Sequence, residues 1–459
     1  MQKADWDTCL EVLTRVIDDP GCALDLEKIE RLATNLYKKA RKRNRKEAAL
    51  NLTEEEQALR QERSKQDRQE NCIADQKIIA NTSIARIHKG EKIEEQNTEL
   101  KTTSVKGGSK SCYCCGKAYR EIHFFYHKLC FDCAEFNYKK RNQKIDLTGY
   151  YSLVTGGRIK IGFQTALKLL RDNATVMVTT RFAQDALERF SKEPDFKIWQ
   201  DRLFIQPLDF RDLHSLLSFI NYLEIHWPAL DILVNNAAQT VSHEAEFYKL
   251  ETEKESKILS SSQKQFSSIQ SLAESKQNLN LVQNLILDLD RHGQPLDKRE
   301  KNSWTLRLHE VEVRELLEVL LINTAAPCIL TAKLKPLFLK SKNKNRFIVN
   351  VCGLDGQFNR LNKTSQHPHV NMSKAALNMM TRTSASDYAE DNIFINSVDT
   401  GWITHEGSYS KREQMRLKGF VPPLDEVDGA ARIYDPIVSA IKQQVTFGKL
   451  FRNYLPVDW

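Results

Sequence analysis

The run Leu153-Val154-Thr155-Gly156-Gly157-Arg158-Ile159-Lys160-Ile161-Gly162 constrains this chain most, because it joins an apolar, strand-like segment to the helical pattern Gln164 to Leu170 through a glycine turn. A strand that turns this tightly into a helix brings bare backbone and the helix N-terminus to one point. There, oriented N–H groups and partial positive charge can hold the pyrophosphate of a dinucleotide. The turn predicts a βα unit that opens a cofactor-binding domain near residue 147. Lys160 stands where a second turn glycine is expected, so the turn alone is equally compatible with a structural role.

Further landmarks follow in order. A second strand, Thr175 to Thr179, ends at Thr180-Arg181, and Leu208-Asp209 follows a third. A fourth, from Asp231, runs into Asn235-Asn236-Ala237-Ala238. Asn323 lies in Leu-Ile-Asn-Thr-Ala, Lys374 in Asn371-Met372-Ser373-Lys374-Ala375-Ala376, and Asp399-Thr400-Gly401-Trp402 closes the series. In this order the landmarks resemble the short-chain dehydrogenase/reductase family over residues 147 to 459. The resemblance implies an α/β fold with a Rossmann-type doubly wound parallel sheet. Along its cofactor groove it implies Thr155, Gly156, Gly157, Arg158, Ile161, Gly162, Thr180, Arg181, Asp209, Asn236, Ala237, Lys374, Thr400 and Gly401. It also implies hydride exchange between a nicotinamide and a carbonyl/alcohol pair, with Asn323 and Lys374 catalytic and Lys374 holding the nicotinamide ribose.

The chain departs from the family at the proton donor. Its Tyr-x-x-x-Lys pair would place the tyrosine at Val370, and its serine at Cys352 or Gly353. Valine transfers no proton. His369 adjoins the vacant place and is the expected replacement, although a histidine in His367-Pro368-His369 is equally a loop hydrogen-bonder. Asp355 is another candidate, or a turn cap. The resemblance together with Thr180-Arg181 points to NADP(H) over NAD(H): the acidic residue that favours the ribose 2′-hydroxyl is absent, and Arg181, with Arg158 from the other side, can engage a 2′-phosphate. The alternative is that both arginines are solvated surface charges.

A chain of 459 residues exceeds the roughly 250 that one such domain needs, so additional modules are expected. The reading is a helical region 1–75, a charged linker 76–110, a zinc module 111–145 and a Rossmann domain 146–459 with an insertion at about 241–307. In the first region Cys9, Leu10, Leu13, Val16 and Ile17, then Ile29, Leu32, Ala33 and Leu36, recur at helical spacing around a break at Asp19-Pro20-Gly21. The block Lys38 to Lys46 reads as a nuclear address, a nucleic-acid patch or a solvated helix end. Two Cys-x-x-Cys knuckles, Cys112/Cys115 and Cys130/Cys133, can each present two thiolates to one tetrahedral zinc, a closed structural site. Cys114, His123 and His127 are alternative ligands. The insertion, which includes the serine-rich segment Ser260 to Ser268, reads as a lid, a partner-binding arm or a tolerated surface addition.

A formal net charge of +8 is modest for this length and argues against nucleic acid as an obligatory partner. No run approaches the roughly 18 apolar residues that would span a bilayer, and the N-terminus has no signal-peptide core. Ten cysteines, scattered outside one cluster, suit a reducing compartment, so a cytoplasmic protein is expected, with the nucleus reachable through the basic block. Two readings follow. One is an NADP-dependent oxidoreductase with a rearranged proton donor and an unidentified small-molecule substrate. The other is a catalytically silent nucleotide-binding scaffold whose zinc module or insertion engages a protein partner. A homo-oligomer is compatible with both.

Overall fold

Adjacent residues of the central strands bury in opposite directions, as a sheet covered on both faces requires. Leu153, Met177, Leu233 and Ile348 enter one apolar cluster, and their neighbours Val154, Val176, Ile232 and Phe347 enter another. The computed structural model describes residues 3–19, 21, 25–50, 54–93, 102–243, 248, 289–360, 363–404, 406–442 and 444–459. Four short strands come first: β1 (Thr102–Ser104), β2 (Lys110–Ser111), β3 (Ala118–Tyr119) and β4 (Glu121–His123). The main sheet contains β5 (Tyr151–Thr155), β6 (Thr175–Thr180), β7 (Leu203–Pro207), β8 (Ile232–Asn235), β9 (Arg346–Cys352), β10 (Ile393–Asp399), β11 (Leu450–Arg452) and β12 (Leu455–Val457).

These eight strands lie in the order β12-β11-β10-β9-β8-β5-β6-β7. All pair in parallel except β11 with β12. Helices Lys160–Arg171, Ala183–Ser191 and Glu426–Ile441 cover one face. Leu213–His226, Ala326–Lys333 and Pro368–Glu390 cover the other. The chain winds outward from β5 through β6 and β7, then restarts at β8 on the opposite side. A crevice therefore opens beyond the carboxyl ends of β5 and β8, where doubly wound sheets place their ligands.

One helical run crosses a sequence-based expectation. Val313–Leu320, a π-helical turn Leu321–Ala325 and Ala326–Lys333 are continuous, and together are long and apolar enough to span a bilayer. Arg314, Glu315, Glu318 and Asn323 interrupt the run in sequence, which is why run length missed it. Here Ala326 and Leu330 pack into the core against the sheet.

Residues 102–110, expected to belong to a linker, are built into the cysteine module instead. β1 pairs antiparallel with β4, and β2 with β3. The N–H groups of Lys106 and Gly107 donate to the carboxylate of Asp75 at 2.8 and 3.2 Å. The module is fastened to the sheet domain by buried charge. Arg141, ending helix Phe131–Arg141, donates to both carboxylate oxygens of Asp425 at 2.6 and 3.0 Å and lies 3.2 Å from Asp428. Tyr126 donates to Asp428 at 2.5 Å, and Arg432 to the side-chain oxygen of Asn137 at 2.7 Å. Around this cluster Cys112, Phe125, Tyr126, Leu129 and Cys130 pack with Ile403 and Leu424.

The chain divides into two compact units, residues 1–73 and 74–459. The first is helical: Lys3–Asp18 and Leu26–Leu50 flank the expected break, and Glu54–Ala80 runs past the boundary. Leu10, Leu13, Ile17, Leu32 and Leu36 are exposed on it, whereas Val16 is buried. Lys38, Lys39, Arg41, Lys42 and Arg43 of the basic block are exposed along the second helix. Residues 94–101 of the expected linker, and most of the insertion including Ser260 to Ser268, lie outside the described residues.

Removing one partner from a buried, fully bonded charge cluster strands the others. Arg141→Met is expected to lower the stability of residues 74–459 by about 3–5 kcal/mol. Denaturant titration of the full chain reads this out, and a shift below about 1 kcal/mol would show that the cluster does not fasten the module.

Candidate active site and metal centre

At the carboxyl end of β5 the chain turns through Gly156, whose φ of +67° is left-handed. The N–H groups of Gly156 and Gly157 both donate to the carbonyl of Thr179, at 2.9 and 3.2 Å. Asn236, one residue past β8, locks the turn from the neighbouring strand. Its Nδ2 donates to the carbonyls of Thr155 and Gly156 at 2.9 and 3.2 Å, while the N–H groups of Asn236 and Ala237 donate to Thr155 Oγ1 at 2.9 and 3.0 Å. A Cβ on Gly162 would stand 2.2 Å from the Gly156 carbonyl oxygen. Helix Lys160–Arg171 then opens on Ile159, which offers no side-chain cap, so its first-turn amides face outward without a side-chain acceptor. Lys160, in the place of the expected glycine, is left-handed at φ +54°.

The turn opens into a cavity of about 1010 Å³. Of the residues expected along a cofactor groove, Gly156, Arg158, Ile161, Gly162, Thr180, Arg181, Asp209, Asn236, Ala237, Thr400 and Gly401 line it. Thr155 and Gly157 lie beneath, held by the bonds just described. Thr180 Oγ1 accepts the Phe182 N–H at 3.1 Å. The Arg181 guanidinium lies 4.3 Å over the ring of Tyr248 and 5.3 Å from that of Phe182, and makes no ion pair among the described residues. Arg158 differs. It is buried, donating to Asp185 of helix Ala183–Ser191 at 2.6 Å and to Gln294 of the insertion's return at 2.8 Å. Asp209 accepts from Arg211 at 2.6 Å, and these bonds outweigh burial to keep its carboxyl below the usual range. Tyr248, Gln294 and Asp297 of the insertion form part of the outer wall.

Deeper in, Asn323 sits buried in the π-helical turn. It holds both backbone groups of Gln239, accepting the N–H at 2.7 Å and donating to the carbonyl at 3.0 Å, and it donates to Ser373 Oγ at 3.1 Å. Lys374 is buried with its Nζ donating to the Val351 carbonyl at 2.9 Å, and burial holds its pKa below the usual value. Neither is among the residues lining the cavity. Cys352, in the expected serine position, does line it, with burial pushing its thiol up to about 11.

The expected replacement donor is not in the cavity. His369 is fully buried between helices, with its Nε2 3.0 Å from a Glu315 carboxylate oxygen, and Val370 beside it is buried too. The structure brings Asp355 to the wall instead, with His367 behind it. His367 stacks on Trp304 at 4.1 Å between ring centroids, its Nδ1 lies 3.0 Å from the Trp304 carbonyl oxygen, and its Nε2 lies 3.5 Å from Asp355 Oδ1. The carbonyl fixes the Nδ1 hydrogen and turns Nε2 to the carboxylate. Burial raises the Asp355 pKa, but His367, Lys363 and Arg360 outweigh it and leave the carboxyl below its usual range.

The Sγ atoms of Cys112, Cys115, Cys130 and Cys133 lie within 4.8 Å of one another, close enough to hold one metal ion. The alternative ligands are engaged elsewhere. His123 is 2.7 Å from Glu135, His127 is 3.2 Å from the Val421 carbonyl oxygen, and Cys114 accepts from Asn137 at 3.9 Å. Burial pulls Cys112 upward, yet the amides of Cys115, Cys130 and Cys114 bring its thiol down to about 7. Cys130 and Cys133 are raised, first by burial. Four crowded thiols can all ionise only around a cation, which is the character of a soft tetrahedral site.

Sequence reasoning passed over Tyr113, which lines the cavity from within the first knuckle. Its Oη accepts the Trp402 N–H at 2.9 Å across 289 residues of chain. Burial, then Asp399, pushes its phenol up to about 12. No local spacing signals such a contact.

A family model described as short chain dehydrogenase matches residues 151–267 and 302–416. Uncharacterized protein R665 of Acanthamoeba polyphaga mimivirus is 32% identical over 360 residues, 75% of this chain and 74% of that protein. A (+)-neomenthol dehydrogenase of Capsicum annuum is 33% identical over 90 residues, 19% of this chain and 28% of that protein. Among solved structures, the Pseudomonas aeruginosa RhlG/NADP active-site complex aligns over 67% of this chain and 95% of its own, at 18% identity and a TM-score of 0.45.

The turn has no space for a methyl group at Gly162. Gly162→Ala is expected to cost about 1–3 kcal/mol and to displace Gly156 and Asn236, whereas Lys160→Gly should leave the turn intact. Thermal unfolding of both variants checks this, and equal behaviour would show that the close approach does not constrain the site.

Proposed function

The chain belongs to the short-chain dehydrogenase family, and we propose that it is an NADP(H)-dependent oxidoreductase of a carbonyl/alcohol pair with a structural zinc in the Cys112/Cys115/Cys130/Cys133 cluster. The observation that carries this reading is the cavity at the switch point of the sheet, where a turn without room for a Cβ meets an uncapped helix and Arg181 has no ion-pair partner among the described residues. These features fit a dinucleotide: amides for the pyrophosphate, and a guanidinium for the 2′-phosphate. A bound nicotinamide supplies or accepts the hydride. The chain itself handles the proton: Asp355 faces the cavity, and His367 behind it exchanges the proton with the carboxylate. Asn323, through Gln239, holds the wall opposite. The all-thiol donor set supports zinc, and a closed shell makes its role structural.

A second reading, nucleotide binding without turnover, is favoured by one observation. Lys374 Nζ is already satisfied by the Val351 carbonyl, and Val370 offers no phenol.

Calorimetry on the full chain should show tighter binding of NADPH than of NADH. Arg181→Ala should erase about 1.5–3 kcal/mol of the difference, the scale of a hydrogen bond to a charged group. Equal affinities for the two dinucleotides in the unaltered chain would defeat the cofactor assignment.

Asp355→Asn should depress turnover on a carbonyl panel by about 10² to 10⁴ while NADPH affinity holds, as loss of an acid–base group does. Unchanged turnover would remove the Asp355–His367 pair from the reaction. Tight NADPH binding with no turnover by the unaltered chain would favour the silent reading.

A further inference from the structure

We propose that Tyr113 is a positioning residue of the dinucleotide cavity, so that the metal centre and the cavity form one binding unit in which metal in the cysteine cluster strengthens dinucleotide binding. The inference rests on the functional reading above and names how that site is regulated.

Tyr113 stands between two cysteines, and its place is set by both knuckles. Its N–H donates to the Lys128 carbonyl at 2.8 Å, two residues before Cys130, while Cys112 donates to the Lys117 carbonyl at 2.9 Å. From there the ring reaches out of the module into the cavity wall. Its Oη accepts the Trp402 N–H at 2.9 Å and stands 3.4 Å from where a Cβ on Gly401 would lie. The loop Thr400 to Trp402, which follows β10 and forms one side of the cavity, therefore leans on this phenol. A phenolic oxygen that accepts one bond still carries a hydrogen to donate. Among the described residues no protein acceptor takes it, which leaves it for a ligand in the cavity.

A second route joins the same two sites. Ile403, beyond the loop, is part of the buried apolar cluster of the module with Cys112 and Cys130, and Ile161, from the first turn of helix Lys160–Arg171, packs against it. Both residues line the cavity. The module thus supports the glycine-turn side and the Gly401 side at once. A module this small, with strands of two or three residues, depends on its metal to hold the knuckles together. Loss of the metal frees Tyr113, leaves the Trp402 amide without its acceptor and loosens both walls. Coupling of two binding equilibria is reciprocal, so the dinucleotide must also retain the metal by the same factor.

The test uses the full chain loaded with one zinc. NADPH is titrated by calorimetry into the loaded protein and into protein stripped with a chelator. In the converse arm, zinc affinity is measured against a competing chromophoric chelator with and without saturating NADPH. Stripping is expected to weaken NADPH by about 5- to 150-fold, the usual range of coupling, and NADPH to tighten zinc by the same factor. Tyr113→Phe, which deletes one oxygen and no thiol, should keep its zinc, weaken NADPH in the loaded state and reduce the reciprocal effect on zinc, leaving only the part carried through Ile403 and Ile161. If circular dichroism shows the stripped chain unfolded, loaded Tyr113→Phe decides alone. NADPH binding that ignores both zinc and Tyr113 overturns this inference and leaves the function standing. No NADPH binding by the loaded, unaltered chain overturns the functional reading and the inference with it.

Discussion

The site exists because helix Lys160–Arg171 approaches the β5 turn closely enough that a single added carbon at Gly162 would meet the Gly156 carbonyl at 2.2 Å. That contact lets Asn236 bond two successive carbonyls of the turn and tie β5 to β8 at the point where the sheet changes direction. Were the helix further out, the carboxamide would have no carbonyl pair to bridge. The crevice between the two strands would then lack a floor. The same bonds fix Ala237, next to Gly156, and through Gln239 they continue to Asn323 in the π-helical turn. Two amide side chains, half-buried Asn236 and buried Asn323, thus hold the first and deepest parts of one wall.

The legible parts of this protein are those encoded over short distances. The apolar runs of β5, β6, β8 and β9, the glycine turn and the cysteine pairs are each contained within a few residues, and the structure places them as local chemistry dictates. Where the two histidines point was not legible for the same reason. His367 and His369 are two residues apart in sequence, but His367 precedes helix Pro368–Glu390 with left-handed backbone, whereas His369 lies in its first turn. Spacing alone does not say where each one packs; His367, left-handed at φ +43°, falls against Trp304 and behind Asp355 of the cavity wall, and His369 falls against Glu315. Arg158 and Arg181 looked alike in sequence as well. Their difference lies in Asp185 and Gln294, which reach Arg158 and not Arg181.

The departures from the family's pattern concentrate around one place. Val370 and Cys352 remove the usual hydroxyls from the inner wall, while Asp355, Trp304 and Tyr113 add polar and aromatic groups to it from outside the matched landmarks. Lys374 keeps its depth but turns its Nζ to a backbone carbonyl, with no salt bridge among the described residues. On the proposed function, the departures fall where a substrate would be met and not at the turn that would hold a nucleotide.

What aims the rebuilt part is the charge cluster of Arg141, Asp425 and Asp428. A buried ion cluster gives little net stability over apolar packing of the same volume, because desolvation offsets most of the attraction. It differs from apolar packing in accepting very few geometries. Leu424, Ile403 and Phe125 would tolerate a small rotation of the module on the sheet domain, whereas the paired bonds from Arg141 to Asp425, together with Tyr126 on Asp428, would not. Asp425 and Asp428 also form the reciprocal cap that begins helix Glu426–Ile441, so the docking surface and the helix start are set by the same two carboxylates. With the module held in one orientation, the first knuckle points at Gly401 and Trp402. A phenol fixed at its base by two cysteine knuckles then becomes a fixed part of a cavity built mostly from a different stretch of chain.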